Sequence, residues 1–168
     1  NATVGSSSDD ACNRPSFDDG QFIYCGTTVS GSNFFGGFRW TGIGIPQGAT
    51  INSAQPDFKD HYGGDYGNNT RSSIYGENSN SAATFSSGSP PNSRSLTTAH
   101  ANWDSTPGIF GQNWFSAGGN APPAATSIVQ EIVNRPGWSS GNALALLVCD
   151  RVGGGGVSDW GWEIYSDR

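Results

Sequence analysis

Leu96-Thr97-Thr98-Ala99-His100-Ala101-Asn102-Trp103-Asp104 alternates with a period of two. Ala99, Ala101 and Trp103 fall on one side, and Thr98, His100 and Asn102 on the other. That pattern predicts a β-strand with one face buried. Asn142–Asp150, which holds Ala143-Leu144-Ala145-Leu146-Leu147-Val148, is apolar on both faces and predicts a central strand. Between them, Ile128, Val129, Ile132 and Val133 fall at helical spacing. A short helix over about 126–135 is expected, with Ser127 and Gln130 as a capping box or Thr126 as N-cap, stopped by Pro136-Gly137.

Further strands are expected on both sides of this centre. Gln21 to Val29 places Phe22 and Tyr24 on one face and Ile23 and Cys25 on the other. Phe34 to Ile45 alternates Phe38 and Trp40 with Arg39, and Pro46-Gln47-Gly48 makes a turn. Ala49 to Phe58 resumes an extended pattern with Ile51, Ala54 and Phe58 as core candidates. Pro56 cannot donate a ladder bond, so that strand is expected at an edge or a bulge. Residues 72–77 read as a strand and 83–86 as a weak one. Ser158–Ser166, alternating Trp160, Trp162 and Ile164, is expected to form a hairpin with 142–150 across Gly153–Gly156. Residues 1–20 are polar and hold two acidic pairs, Asp9-Asp10 and Asp18-Asp19. The expectation is an all-β fold, a jelly-roll-like antiparallel β-sandwich with one short helix, spanning 1–168 as a single domain.

Composition narrows the function. The 168 residues carry 13% charged side chains, against about 25% in ordinary soluble domains, and a net charge of −6. With Lys59 as the one lysine, no nucleic-acid-binding surface is expected. No apolar run reaches the roughly 18 residues needed to span a bilayer. Six Trp and 12% aromatics argue against disorder. Met is absent even at position 1, so a signal peptide is expected to have been removed and the chain to be extracellular.

Three cysteines allow one internal bridge at most. Cys12 and Cys25 flank a turn-rich stretch and are the expected disulfide. Cys149 ends an apolar run and reads as a buried thiol, with an intermolecular bridge as the alternative. Asn1-Ala2-Thr3 and Asn68-Asn69-Thr70 are glycosylation sequons, so Asn1 and Asn68 are candidate acceptors on a secretory route. Ser86–Ser93 has the Ser/Pro composition of an O-glycosylated loop, or simply of a polar one.

The segment Phe38-Arg39-Trp40-Thr41-Gly42-Ile43-Gly44-Ile45-Pro46-Gln47-Gly48-Ala49-Thr50-Ile51-Asn52-Ser53-Ala54 resembles a recurring stretch of a β-sandwich module found in secreted bacterial multidomain proteins. Further similar stretches follow in order, including Ser6–Ala11, Ile74–Glu77, Thr98–Trp103, Ile128–Trp138 and Ser140–Leu144. The resemblance implies a secreted sandwich of the kind that stands beside adhesion or sugar-binding modules, and it implies no catalytic residues. The chain departs from the pattern at Cys12 and Cys25 and at Pro56, and the module is expected to stand alone.

No His-Glu-x-x-His, Gly-x-Ser-x-Gly or Walker loop occurs, so no enzyme is expected. Glu77, Glu131, Glu163 and the Asp residues offer many carboxylate pairs, none of them marked out. His100 lies on the outward face of its strand. No cofactor is required. Asp9, Asp10, Asp18 and Asp19 could gather around a Ca²⁺ ion if the bridge folds that segment back, and solvated acidic turns explain them equally. A second acidic loop spans Asp57, Asp60, Asp65, Asn68 and Asn69. Tyr62, Tyr66, Trp114, Trp138 and Trp160 could stack on sugar rings, whereas Trp40, Trp103 and Trp162 read as core.

The remaining mode is association. Ala2, Thr3 and Val4 lie in an arm, residues 1–5, able to add as a strand to a neighbour's sheet edge. Such a head-to-tail contact does not close and builds filaments. The expected function is therefore a self-assembling, glycan-compatible structural subunit of an extracellular filament or surface layer whose partner is itself. The alternative is a carbohydrate-binding adhesion module that recognises glycans.

Overall fold

The computed structural model describes residues 9–14, 16–20, 22–27, 33–58, 71–104, 121–150 and 162–165. It is mostly β with one short helix. Its strands are β1 (Asp10–Arg14), β2 (Ser16–Asp18), β3 (Phe22–Thr27), β4 (Asn33–Trp40), β5 (Arg71–Glu77), β6 (Leu96–Asp104), β7 (Leu144–Asp150) and β8 (Trp162–Tyr165). The helix α1 spans Thr126–Val133. Six strands follow the order β2-β1-β4-β7-β5-β6, every neighbouring pair antiparallel.

β7 is central, as its unbroken apolar run requires. It pairs with β4 through Gly36↔Val148 to Trp40↔Leu144, and with β5 through Ser72↔Asp150 to Gly76↔Leu146. Both its borders are thereby taken, which overturns the expected hairpin between 142–150 and 158–166. β8 pairs with β3 instead, from Phe22↔Tyr165 to Cys25↔Trp162. β3 also meets β4 at Gly26↔Phe34 and Thr27↔Asn33.

The register divides the sheet into two faces. One row runs Cys12, Gly36, Val148, Ile74, Ala101, and the next runs Ala11, Gly37, Leu147, Tyr75, His100. Side chains in adjacent rows point to opposite faces. The first face carries the larger core. Trp103, 1% exposed, stacks on Phe58 at 5.5 Å, and Phe58 tilts against Phe38 at 4.5 Å. Ile23 and Cys25 of β3 lie over Gly36, where a Cβ would come within 3.0 Å of Ile23 Cγ2 and overlap Cys25 Sγ. Of the two faces of β3, the one with Ile23 and Cys25 is buried, and Phe22 and Tyr24 are half-buried.

α1 lies on this same face, burying Ile128, Val129, Ile132 and Val133. It approaches β5 closely because Gly76 has no side chain. A Cβ there would stand 2.7 Å from Ile132 Cδ1 and 2.8 Å from Ile128 Cγ2. The helix stops before Pro136-Gly137 as predicted, but its start does not follow the expected capping box. The N-cap is Ala125, with no side-chain cap bond. Thr126 Oγ1 accepts the Ala54 N–H at 3.1 Å instead, and Gln130 is used elsewhere.

Residues 49–58 form no strand. They lie beside α1, and helix side chains and backbone take the groups that a sheet would have used. The Ile51 N–H donates to Gln130 Oε1 (2.8 Å), Gln130 Nε2 donates to the Ala49 carbonyl (3.0 Å), and the Ala125 N–H donates to the Ala54 carbonyl (2.8 Å). Pro56 is buried in this segment, so the edge-strand expectation for it is also corrected. The weak strand expected at 83–86 reduces to a single bridge, Ser86↔Ser89.

The second face is covered by residues 78–95. Phe85 sits against Gly37, where a Cβ would fall 2.5 Å from its ring. Arg94 lies 4.9 Å from the centre of that ring, pairs with both Glu77 oxygens at 3.2 Å, and donates to the Thr84 and Ser89 carbonyls at 2.9 Å. With both charged side chains almost wholly buried, losing either would strand the other.

β1 and β2 occupy the polar stretch that holds the two acidic pairs. Ala11 and Cys12 of β1 are fully buried, and Asp9, just before the strand, pairs with Arg39 from β4.

Gly76→Val is expected to lower stability by about 1–3 kcal/mol or more through forced separation of α1 from β5. Thermal unfolding followed by circular dichroism checks this, with a fall of several °C expected.

Candidate functional site

The described structure offers a site of backbone chemistry at β6. This nine-residue strand ends the six-strand path, while the other end is the three-residue β2. The alternation of 96–104 fixes its faces as expected. Thr98, His100, Asn102 and Asp104 are exposed, and Trp103 is buried on the opposite face. The His100 ring stacks on Tyr75 at 5.1 Å, and Asn102 Oδ1 accepts a bond from Ser73 Oγ at 3.1 Å.

β5 and β6 lose register between Tyr75 and Glu77. Thr97 Oγ1 fills the gap, accepting the Gly76 N–H and donating to the Ala99 carbonyl, both at 2.8 Å. Glu131 of α1 then takes two consecutive β6 amides. The Thr98 N–H donates to Oε1 (2.9 Å) and the Ala99 N–H to Oε2 (2.7 Å). One carboxylate thus satisfies the donors that the bulge turns away from β5. The sequence pattern does not single out Glu131 for this role. Its contact depends on where the bulge falls, which a one-dimensional pattern does not carry.

Asp9, Asp10, Asp18 and Asp19 do not assemble into a cation cage. Among the described residues no group of three or more His, Cys, Asp or Glu could hold a metal ion. Asp9 pairs with Arg39 Nη1, Asp10 is buried, Asp18 Oδ1 closes a turn by accepting the Gly20 N–H at 2.8 Å, and Asp19 is exposed. Asp57 is exposed, and the rest of the second acidic loop lies outside the described residues.

Trp138 is no sugar platform. It is 2% exposed, and its Nε1 donates to the Ile45 carbonyl at 2.9 Å, which holds the strap after β4 against the core. Tyr62, Tyr66, Trp114 and Trp160 lie outside the described residues, as do the sequon residues Asn1 and Asn68 and the arm residues Ala2, Thr3 and Val4.

Cys12, Cys25 and Cys149 are all buried and stand as thiols, so the expected Cys12–Cys25 bridge is not formed in this structure. Burial pushes the Cys25 thiol well above its ordinary pKa, the Cys12 and Cys149 thiols push it further, and a hydrogen bond with the Gly36 backbone opposes them.

No protein-family model, no curated protein and no solved structure matches the chain.

Glu131→Ala is expected to speed amide hydrogen exchange at Thr98 and Ala99 by about 10- to 100-fold, the range for a lost bond to a charged acceptor. Unchanged exchange at both positions would contradict the role given to the carboxylate. With the thiols reduced, Cys25 holds its proton in the folded state after an unfolded chain has released it. The contribution of Cys25 to stability is then expected to be fully present below pH about 9 and to be lost as pH rises past it. Denaturant titrations of the protein and of Cys25→Ala between pH 7 and 10 check this, with the variant showing the shallower decline.

Proposed function

We propose that this chain is a non-enzymatic structural subunit of an extracellular filament or surface layer, assembling head to tail by adding its N-terminal arm, residues 1–5, to the β6 border of another copy. The observation that carries this reading is β6 itself. Nine residues long, it is the last strand on the sheet path among the described residues. A strand border is a template for another chain's backbone. Glu131 covers the Thr98 and Ala99 amides, so an added strand would run beside the part of β6 beyond them.

The layering supports the same reading. β3, paired with β8, lies over the first face of the six-strand sheet. We read the two as the layers of a jelly-roll-like sandwich, in line with the resemblance to secreted adhesion modules. No nucleic-acid partner is invoked. No described helix is long and apolar enough to cross a membrane. Ser86, Ser87 and Gly88 are exposed in the turn that carries the Ser/Pro stretch, which suits a glycan-bearing surface. The carbohydrate-binding alternative loses Trp138 as a platform.

Removing residues 1–5 is expected to abolish pelleting by ultracentrifugation at concentrations where the whole chain pellets. A photo-crosslinker at Val4 is expected to label β6 of a second copy. Undiminished filaments after the deletion would overturn the arm mechanism, and labels confined to other strands would overturn the choice of β6. A chain that stays monomeric and binds a glycan panel would overturn the structural role altogether.

A further inference from the structure

We propose that Cys12 and Cys25 form a disulfide that staples β1 of the main sheet to β3 of the overlying layer across Gly36, and that this bridge closes before the core does. Register decides which thiols can meet. Cys12 faces Gly36 directly in the β1–β4 ladder. Paired residues carry their Cβ positions on one face, about 4.5–5.5 Å apart. The Cys25 sulfur occupies the space that a Gly36 Cβ would fill, which sets it within side-chain reach of Cys12. Glycine at 36 is what makes room for it.

Cys149 is on the other side. Val148 pairs with Gly36 and shares its face, so the next residue points to the opposite one, where it pairs with Ser73. The Cys149 Sγ lies 3.9 Å from the Ser73 carbonyl. The sheet backbone therefore stands between Cys149 and the other two sulfurs. Consistently, Cys12 acts on Cys25 more strongly than Cys149 does. An odd cysteine count leaves the third thiol's role open, and the faces of the sheet assign it.

The chemistry is thiol–disulfide exchange with a small disulfide or the disulfide of an oxidoreductase. One thiolate of the pair attacks a sulfur of that oxidant, forming a mixed disulfide and expelling the other sulfur as a thiolate. The second cysteine's thiolate then attacks the mixed disulfide at the protein sulfur and expels the remaining one. The two protons end on the two released thiols, and the oxidant is reduced by two electrons. Timing follows from burial. Cys12 and Cys25 are both 0% exposed, and the Cys25 proton is held tightly once the core is closed. A folded chain presents neither the thiolate nor a path for the oxidant, so exchange belongs to the folding chain.

The reduced, denatured protein is refolded in a buffer of oxidised and reduced glutathione, and a second sample is first folded under reductant and then moved into that buffer. The refolded sample is expected to show one titratable thiol per chain under denaturing conditions. Cleavage at Asp18 and Asp19 is expected to leave the Cys12 and Cys25 peptides joined until reduction, with alkylation confined to Cys149. The pre-folded sample is expected to keep three thiols for hours. Cys149→Ala is expected to form the same bridge, and reduction is expected to lower the melting temperature by about 10 °C, as a short closed loop predicts. The same digest on material isolated without reductant reads the bridge independently of refolding yield. Three thiols in both the refolded and the isolated material, or any link to Cys149, would overturn the pairing. Closure in the pre-folded sample as fast as in the refolding one would overturn the timing.

Discussion

β7 is apolar on both sides, and a strand of that kind must be covered twice. Leu146 and Val148 face the core that holds Trp103, Phe38 and α1, while Ala145 and Leu147 face the smaller cluster around Phe85. Burial of such side chains is worth about 1.5–3 kcal/mol each in area terms, and β7 buries several of them on both faces. The chain therefore places something on each face. The helix, the strap of residues 49–58 and β3 cover one, and residues 78–95 cover the other. The polar devices serve this double cover. Gln130 and Thr126 hold the strap to the helix, and Arg94, bonded to Glu77, Thr84 and Ser89, holds the second cover closed.

Close approach on both faces depends on missing side chains. Gly36 admits Cys25, Gly37 admits Phe85 and Gly76 admits α1. Two of these glycines are neighbours on β4 and serve opposite faces, as alternation along a strand requires. In a chain with 25 glycines, these three serve packing, a role that composition alone does not distinguish from turn-making.

The candidate site arises from the same geometry. Gly76 draws α1 down onto the sheet at the place where β5 and β6 slip register, and that brings Glu131 to the turned-away amides of Thr98 and Ala99. Helix docking and the state of the β6 border are thus one structural event. This links the packing of the core to the surface on which the assembly reading rests.

The two periodicities are legible in the amino-acid sequence by itself. Alternation over Leu96–Asp104 and Phe22–Cys25, the double-sided apolar run that leads to Asp150, and the helical spacing of Ile128, Val129, Ile132 and Val133 each reflect local burial, which is written into neighbouring residues. What pairs with what is not legible there. β8 joins β3 because both borders of β7 are occupied, 49–58 stays out of the sheet because Gln130 and Thr126 take its amides, and β1 is a strand because it pairs with β4, whose Arg39 also takes the preceding Asp9. Trp138 has the letters of an exposed ring, but the Ile45 carbonyl and the core claim it. Each of these outcomes depends on residues tens of positions away, and only the folded chain brings such partners within bonding distance.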